Sequence, residues 1–127
     1  MTTATPVRST VLIVEDEELV AMSARNALQD VGLDAIYVTA GVEALRVFSS
    51  GSFCAAIIDV GLPDMDGQEL AYQLRARDSN LPIVVCTGFD ASQYETEFRD
   101  DPWVRVIGKP FDEPQLFEQL EHLGIHA

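Results

Sequence analysis

Chemically reactive side chains stand at the ends of four apolar segments in this sequence of 127 residues. Glu15 and Asp16 follow the first segment, and Asp59 follows the second. Thr87 ends the third, and Lys109 ends the fourth. An aspartate can accept a phosphoryl group as an acyl phosphate, and a divalent cation then neutralises the charge between nucleophile and phosphate. Acids, a hydroxyl and an amine in these places therefore predict metal-assisted phosphoryl chemistry on a carboxylate.

The three acids form a set of hard oxygen ligands suited to Mg²⁺, which prefers a few carboxylates together with phosphate oxygens. Glu15 and Asp16 are adjacent, so one turn can direct both at a single ion. Like charges about 4 Å apart repel by about 4 kcal/mol at an effective dielectric constant of about 20, so a cation should also stabilise the cluster. Lys109 is a compact cation on a flexible stem that can reach phosphoryl oxygens, and Thr87 can donate its hydroxyl to one of them.

Alternating strand-like and helix-like segments must bring these groups together. Continuous apolar runs predict buried strands over residues 11–14, 33–38, 53–58, 83–86 and 104–107. Apolar residues near helical spacing, which include Leu19 and Val20 in the first helix, predict helices over residues 17–31, 41–48, 67–77, 90–99 and 112–123. Five β/α units with short connections predict an α/β fold, a doubly wound five-stranded parallel sheet with helices on both faces. In such sheets the reactive groups gather at the carboxyl ends of the strands.

Composition and charge argue against several classes of function. Twenty-one acids and eight bases give a formal net charge of −13, so nonspecific binding to DNA or to anionic lipid is not expected. The sequence has no apolar run of about 18 residues that would cross a membrane. Residues 1–9 lack the apolar stretch of a signal peptide, and we interpret them as a flexible tail before a single domain at residues 10–124. Cys54 and Cys86 fit core positions in a reduced, cytoplasmic protein.

Four short motifs, taken in order, resemble those of the receiver domain of two-component response regulators. They are Glu15–Asp16–Glu17, the segment from Asp59 to Gly67, Thr87–Gly88 and Lys109–Pro110–Phe111. The match covers roughly the whole predicted domain. The resemblance implies a flavodoxin- or receiver-like fold with the sheet order 2-1-3-4-5.

The same resemblance implies that Asp59 accepts a phosphoryl group from a phosphohistidine on a histidine kinase or a histidine phosphotransfer protein. Mg²⁺ would be held by Glu15, Asp16, Asp59 and the backbone carbonyl of Gly61. Lys109 and Thr87 would contact the phosphoryl group. Movement of Thr87 would then switch the surface around the fourth and fifth strands and the fourth helix, which controls a protein partner that the sequence does not name. Such a domain is a signalling domain and not an enzyme, and the only reactions that it catalyses are its own phosphorylation and dephosphorylation.

Two features depart from the common family pattern. The family often has Tyr or Phe three residues before the lysine, where this chain has Val106. The run Cys86–Thr87–Gly88–Phe89 resembles a subgroup with an Ala-Thr-Gly-Tyr motif, so Phe89 is a candidate for the moving aromatic ring. Neither Gly61 nor Phe89, each two residues beyond a reactive group, can orient an attacking water. We therefore expect moderate-to-slow self-dephosphorylation.

Three alternatives stay open at this point. The chain fits a receiver domain excised from a hybrid histidine kinase as well as a single-domain regulator. An aspartyl-phosphate hydrolase of the haloacid dehalogenase type would need a second acid two residues after the nucleophile, where this chain has Gly61. A flavodoxin-like cofactor binder would need a phosphate-binding loop after the first strand, whereas Glu15–Asp16–Glu17 would repel phosphate. The Lys109–Pro110 bond is a candidate cis peptide in a functional turn.

Overall fold

Five strands and five helices alternate along the chain in a computed structural model that describes residues 10–88 and 90–125. The predicted tail, residues 1–9, and Phe89 lie outside this part of the chain. The strands are β1 (Thr10–Val14), β2 (Asp34–Val38), β3 (Ala55–Asp59), β4 (Ile83–Thr87) and β5 (Val104–Gly108). The helices are α1 (Glu18–Asp30), α2 (Gly41–Ser50), α3 (Gly67–Arg77), α4 (Ala91–Glu97) and α5 (Glu113–His122).

The five strands form one parallel sheet in the order β2-β1-β3-β4-β5. Val14, at the end of β1, pairs with Val38 on one side and with Ile58 on the other. Asp59 at the end of β3 pairs with Cys86, one residue before the end of β4. This register brings the carboxyl ends of β1, β3, β4 and β5 to one edge, and it confirms the predicted doubly wound α/β fold.

Strand side chains alternate between two apolar layers, as the two-residue period of a strand requires. Ile13, Ile57 and Ile107 lie in the layer that packs on α1 and α5. Ile58 and Val85 lie in the other layer, which packs on α2, α3 and α4. All residues of β3 and β4 are buried, so the central strands form a rigid support for the groups at their ends.

Some predicted boundaries and contacts differ from the structure. Strand β3 begins at Ala55 rather than Phe53, and the Phe53 ring stacks on Phe48 of α2 with centroids 5.9 Å apart. In α1 the buried residues include Ala21 and Leu28, while Leu19 is 81% exposed. Leu19 lies off the stripe that faces the sheet. Over residues 10–88 and 90–125, each helix is too short or too polar to cross a membrane.

Candidate functional site

Three carboxylates meet where β1 and β3 end. The Glu15 amide donates to the carbonyl of Val38 at 3.1 Å, and this bond extends the β1–β2 pairing by one residue. The next residue, Asp16, begins the turn into α1, and Asp59 ends β3. Carboxylate oxygens of Glu15, Asp16 and Asp59 all lie within 4.8 Å of one another. The structure thus brings together the three acids that the sequence singles out.

The three acids differ in exposure, and this difference suits a hydrated cation. Glu15 and Asp59 are 5% and 7% exposed, whereas Asp16 is exposed at the mouth of the cluster. Glu15 also accepts a hydrogen bond from the amide of Glu17 at 3.1 Å, which fixes one of its oxygens. Mg²⁺ keeps several waters and takes few carboxylates. Two buried acids and one exposed acid at the mouth of the cluster therefore suit that ion.

Gly61 borders the same cluster from the loop after β3. A Cβ atom built on Gly61 would lie 3.7 Å from Oδ2 of Asp59, so the Gly61 backbone is next to that carboxylate. Gly61 pairs with Asp66 in an isolated antiparallel bridge, and the Gly67 amide donates to the carbonyl of Val60 at 2.9 Å. These bonds close the loop on itself. A backbone carbonyl there is a suitable hard ligand for the cation.

Lys109 reaches the acids from β5. Its Nζ atom lies 2.8 Å from Oε1 of Glu15 and 3.3 Å from Oδ1 of Asp59. Its backbone amide donates to the carbonyl of Thr87 at 2.7 Å, and the Lys109–Pro110 peptide bond is cis. One ammonium group therefore lies beside two buried carboxylates and neutralises part of their charge.

The pKa values of this pair show the balance between burial and attraction. Burial raises the pKa of Glu15, although hydrogen bonds from Lys109 and from the Glu17 amide oppose the shift. Burial alone would lower the pKa of Lys109, but its hydrogen bond to Glu15 and the charge of Asp59 outweigh it, so that pKa is raised. Lys109 therefore remains a cation at neutral pH.

Thr87 stands at the same edge of the sheet, as the last residue of β4. It is fully buried and lies opposite Gly108 in the pairing with β5. The residue before it, Cys86, pairs with Asp59, so Thr87 is one step beyond the acid-bearing position on the neighbouring strand. The sequence-predicted hydroxyl and amine thus flank the acid cluster from the β4 and β5 side.

The family model of the response regulator receiver domain matches residues 11–121 of this chain. The chain belongs to the response regulator receiver family. The sensor kinase CckA of Brucella abortus is 32% identical over 117 residues, which are 91% of this receiver and 12% of the kinase. The response regulator MprA of Mycobacterium sp. strain KMS is 32% identical over 118 residues, 93% of this receiver and 50% of MprA. The receiver therefore spans half or less of these relatives.

Solved structures agree with this assignment. A sensor protein from Polaromonas sp. JS666 is 32% identical and has a TM-score of 0.80, with 92% of this receiver and 96% of that chain covered. The Vibrio cholerae chemotaxis protein CheY4 is 25% identical and has a TM-score of 0.84, with coverage of 92% and 99%. The resemblance seen in the sequence motifs is confirmed.

Family membership gives the site a general meaning. Receivers are signalling domains of two-component systems, they typically bind Mg²⁺ in an acidic pocket, and they interact with histidine kinases or phosphotransfer proteins. The acid cluster of this receiver lies where such a pocket would be, at the carboxyl ends of β1 and β3.

An apolar groove of about 550 Å³ runs between α1 and α5 beside Lys109. Leu19 and Val20 line it from α1, and Phe111 and Leu116 line it from the α5 side. Leu19 and Val20 are also exposed, at 81% and 37%. Leu19 and Val20, which do not pack into the hydrophobic core, thus form an apolar surface next to the acid cluster.

Sequence reasoning missed one residue near the site, Asp64. Its carboxylate accepts hydrogen bonds from the amides of Gly41 at 2.8 Å and Val42 at 2.9 Å, at the start of α2. A weak signal for it exists in the sequence. The residue before α2 is Ala40, which has no side-chain acceptor, so the cap of that helix must come from elsewhere.

Proposed function

We propose that the receiver, at residues 10–124, accepts a phosphoryl group on Asp59 from a phosphohistidine of a histidine kinase or a histidine phosphotransfer protein. One observation carries this proposal. The Asp59 carboxylate lies within 4.8 Å of oxygens from two other acids and 3.3 Å from the Lys109 ammonium. A nucleophile, a set of cation ligands and a fixed positive charge are therefore combined at one point.

The transfer is a displacement at phosphorus. An Asp59 oxygen forms the new P–O bond while the P–N bond of the phosphohistidine breaks, and the electron pair of that bond stays on the imidazole nitrogen. Mg²⁺ held by Glu15, Asp16, Asp59 and the Gly61 carbonyl would neutralise the charge between nucleophile and phosphate. Lys109 binds the phosphoryl oxygens as a cation, and the Thr87 hydroxyl donates to one of them.

The apolar groove supports a helical phosphodonor. Leu19, Val20 and Phe111 offer an exposed apolar surface that leads to Lys109. A helix with an apolar face could bury its side chains there while a histidine on its edge points to Asp59. This location also separates the donor from the α4–β5 side of the receiver, where we propose that the downstream protein partner binds.

The proposed switch acts on α4. None of the seven residues of this helix is buried, and its first turn is held by Asp90, which accepts from the Ser92 amide at 3.0 Å. At its carboxyl end, Glu97 accepts a hydrogen bond from Tyr72 of α3, and the next residue, Phe98, is buried against the same tyrosine. A phosphoryl group adds a charge of about −2 next to Thr87, three residues before that cap, and shifts the population of the amino-terminal half of α4.

Val106 does not supply the aromatic ring that many receivers use for this coupling. It is half-buried and packs with the layer that faces α3 and α4. We propose that α4 and Phe89 carry the change instead, towards an unidentified protein partner. Gly61 provides no side chain to orient a water, so we expect the phosphoryl group to last longer than seconds.

Two alternatives differ in how they relate to this proposal, and only the hydrolase receives less support. A hydrolase would need a second acid two residues beyond Asp59, and Gly61 stands there. A receiver domain of a hybrid kinase would carry out the same chemistry. The relatives include a sensor kinase as well as a response regulator, so the proposal concerns the domain and applies to either kind of protein. Its free cysteines, Cys54 and Cys86, support a cytoplasmic location.

The test is incubation with acetyl phosphate and Mg²⁺ followed by intact-mass measurement. We expect the wild-type receiver to gain one phosphoryl group, and we expect EDTA to prevent it. Asp59→Asn should gain none. Asp100→Asn is the matched control, because it removes the same charge at an exposed position outside the site and should behave as wild type. A wild-type protein that gains no adduct would contradict the proposal.

A further inference from the structure

The loop between β3 and α3 carries the Gly61 carbonyl, and its position is fixed at three places. Near its base the Gly61–Asp66 bridge and the bond from the Gly67 amide to the Val60 carbonyl close it. At its tip, Asp64 accepts from the first two amides of α2. The contacts at the base are local, whereas the contact at the tip connects the loop to another helix.

Asp64 meets α2 in a bidentate arrangement. Oδ1 lies 2.8 Å from the amide nitrogen of Gly41, and Oδ2 lies 2.9 Å from that of Val42. These hydrogen bonds lower the pKa of the Asp64 carboxyl, with the bond from Val42 as the largest cause. Amides at a helix start have no partner within the helix and favour a negative charge. Asp64 therefore supplies the cap that Ala40 cannot.

Met65, the residue after Asp64, adds a packing contact with the same end of α2. A Cβ atom on Gly41 would lie 2.6 Å from Cγ and Sδ of Met65, so the Met65 side chain packs directly on the start of α2. The α2 helix follows β2, and β2 pairs with β1, the strand that leads to Glu15. The contact of Asp64 and Met65 with α2 thus joins the Gly61 loop to the side of the sheet that presents Glu15 and Asp16.

We infer that Asp64 is a positioning residue for the cation site, which holds the Gly61 carbonyl in place by fixing the β3–α3 loop to the amino end of α2. The inference rests on the proposed function, since Gly61 is a ligand only if the acid cluster binds Mg²⁺. Residues that orient metal ligands typically change metal affinity by 10–100-fold when removed. Because Asp64 is exposed and acts on one of four ligands, we expect the lower end of this range.

The experiment is calorimetric titration of the folded receiver with MgCl₂. We expect Asp64→Ala to raise the dissociation constant about tenfold. Asp64→Asn keeps one acceptor oxygen and should have a smaller effect. Asp66→Ala is the matched control, because it removes the same charge from the same loop. Asp66 pairs with Gly61 through the main chain, which the substitution keeps, and its side chain makes no capping bond to α3. This control should keep the wild-type dissociation constant.

Melting temperatures of the same variants in EDTA separate positioning from stability. A purely structural cap would lower the melting temperature of Asp64→Ala and leave its dissociation constant equal to that of Asp66→Ala. That result would overturn the inference while the proposed function stands. A wild-type receiver without measurable Mg²⁺ binding would overturn both. If Asp64→Ala does not fold, the dissociation constant of Asp64→Asn decides, and equality with Asp66→Ala would overturn the inference.

Discussion

The glycine that begins α3 gives a sharp test of how the fold positions Asp59. A Cβ atom at Gly67 would lie 2.3 Å from the carbonyl oxygen of Asp59 and 2.6 Å from Cα of Val60. These atoms belong to the main chain and cannot turn away, so β3 and α3 would have to separate by roughly 1 Å. Overpacking typically costs about 1–3 kcal/mol, and we expect Gly67→Ala to lower the free energy of unfolding by about 3 kcal/mol. For a domain of this size, the melting temperature should fall by about 10 °C.

Thermal and urea unfolding followed by circular dichroism in EDTA would measure this effect. Gly108→Ala is the matched control, since a Cβ atom there meets nothing within 4 Å. We expect that control to change the free energy of unfolding by less than about 0.5 kcal/mol. If Gly67→Ala melted within about 2 °C of Gly108→Ala, the close approach of α3 to β3 would not be a constraint, and the reasoning would be refuted.

Two further predictions concern the contacts between α3 and the α4–β5 side. The hydrogen bond to Glu97 raises the pKa of Tyr72 to about 12. This bond therefore stabilises the fold at neutral pH, and its contribution is lost as the pH rises from about 10 through 12. Glu97→Gln should lower the pKa of Tyr72, which an absorbance titration of the phenolate would measure. Arg75 donates to Asp101 at 2.9 Å in a largely buried pair, so Arg75→Met should lower the free energy of urea unfolding by about 1–2 kcal/mol. The exposed Arg46, with a 3.7 Å pair, is its control, and an equal loss in Arg46→Met would contradict the assignment.

The sequence predicts the acid cluster because the groups involved stand at the ends of strong strand signals. Glu15 and Asp59 each end a buried apolar run, and the parallel arrangement places such ends at one edge. The order of the strands comes from the family resemblance, since residue patterns alone do not state which strands are neighbours. Lys109 could be expected at this edge, but its contact with Glu15 joins residues 94 positions apart. No local pattern contains that contact.

Other features depend on contacts that a linear pattern does not record. The phase of α1 is decided by its packing on the sheet, so Leu19 is exposed although it is apolar. The cap of α2 comes from Asp64, 23 positions after Gly41. A search for a cap next to the helix finds only Ala40. Both outcomes are decided by tertiary structure, which local propensity cannot anticipate.

The segment from Asp59 to Gly67 shows why a motif of this length can be so specific. In this segment the Asp59 side chain belongs to the acid cluster, and the Gly61 backbone lies next to that carboxylate. The other contacts are structural, since Asp64 caps α2, Met65 packs on Gly41, and Gly67 allows main-chain contact with Asp59. Each of these needs a particular residue type, namely an acceptor, a flexible apolar chain or no side chain. The motif is thus specific because one reactive residue, Asp59, is positioned by several steric and hydrogen-bonding requirements. Substitutions at the other positions of the segment should therefore alter the site through its geometry, whereas substitution of Asp59 removes the reactive group itself.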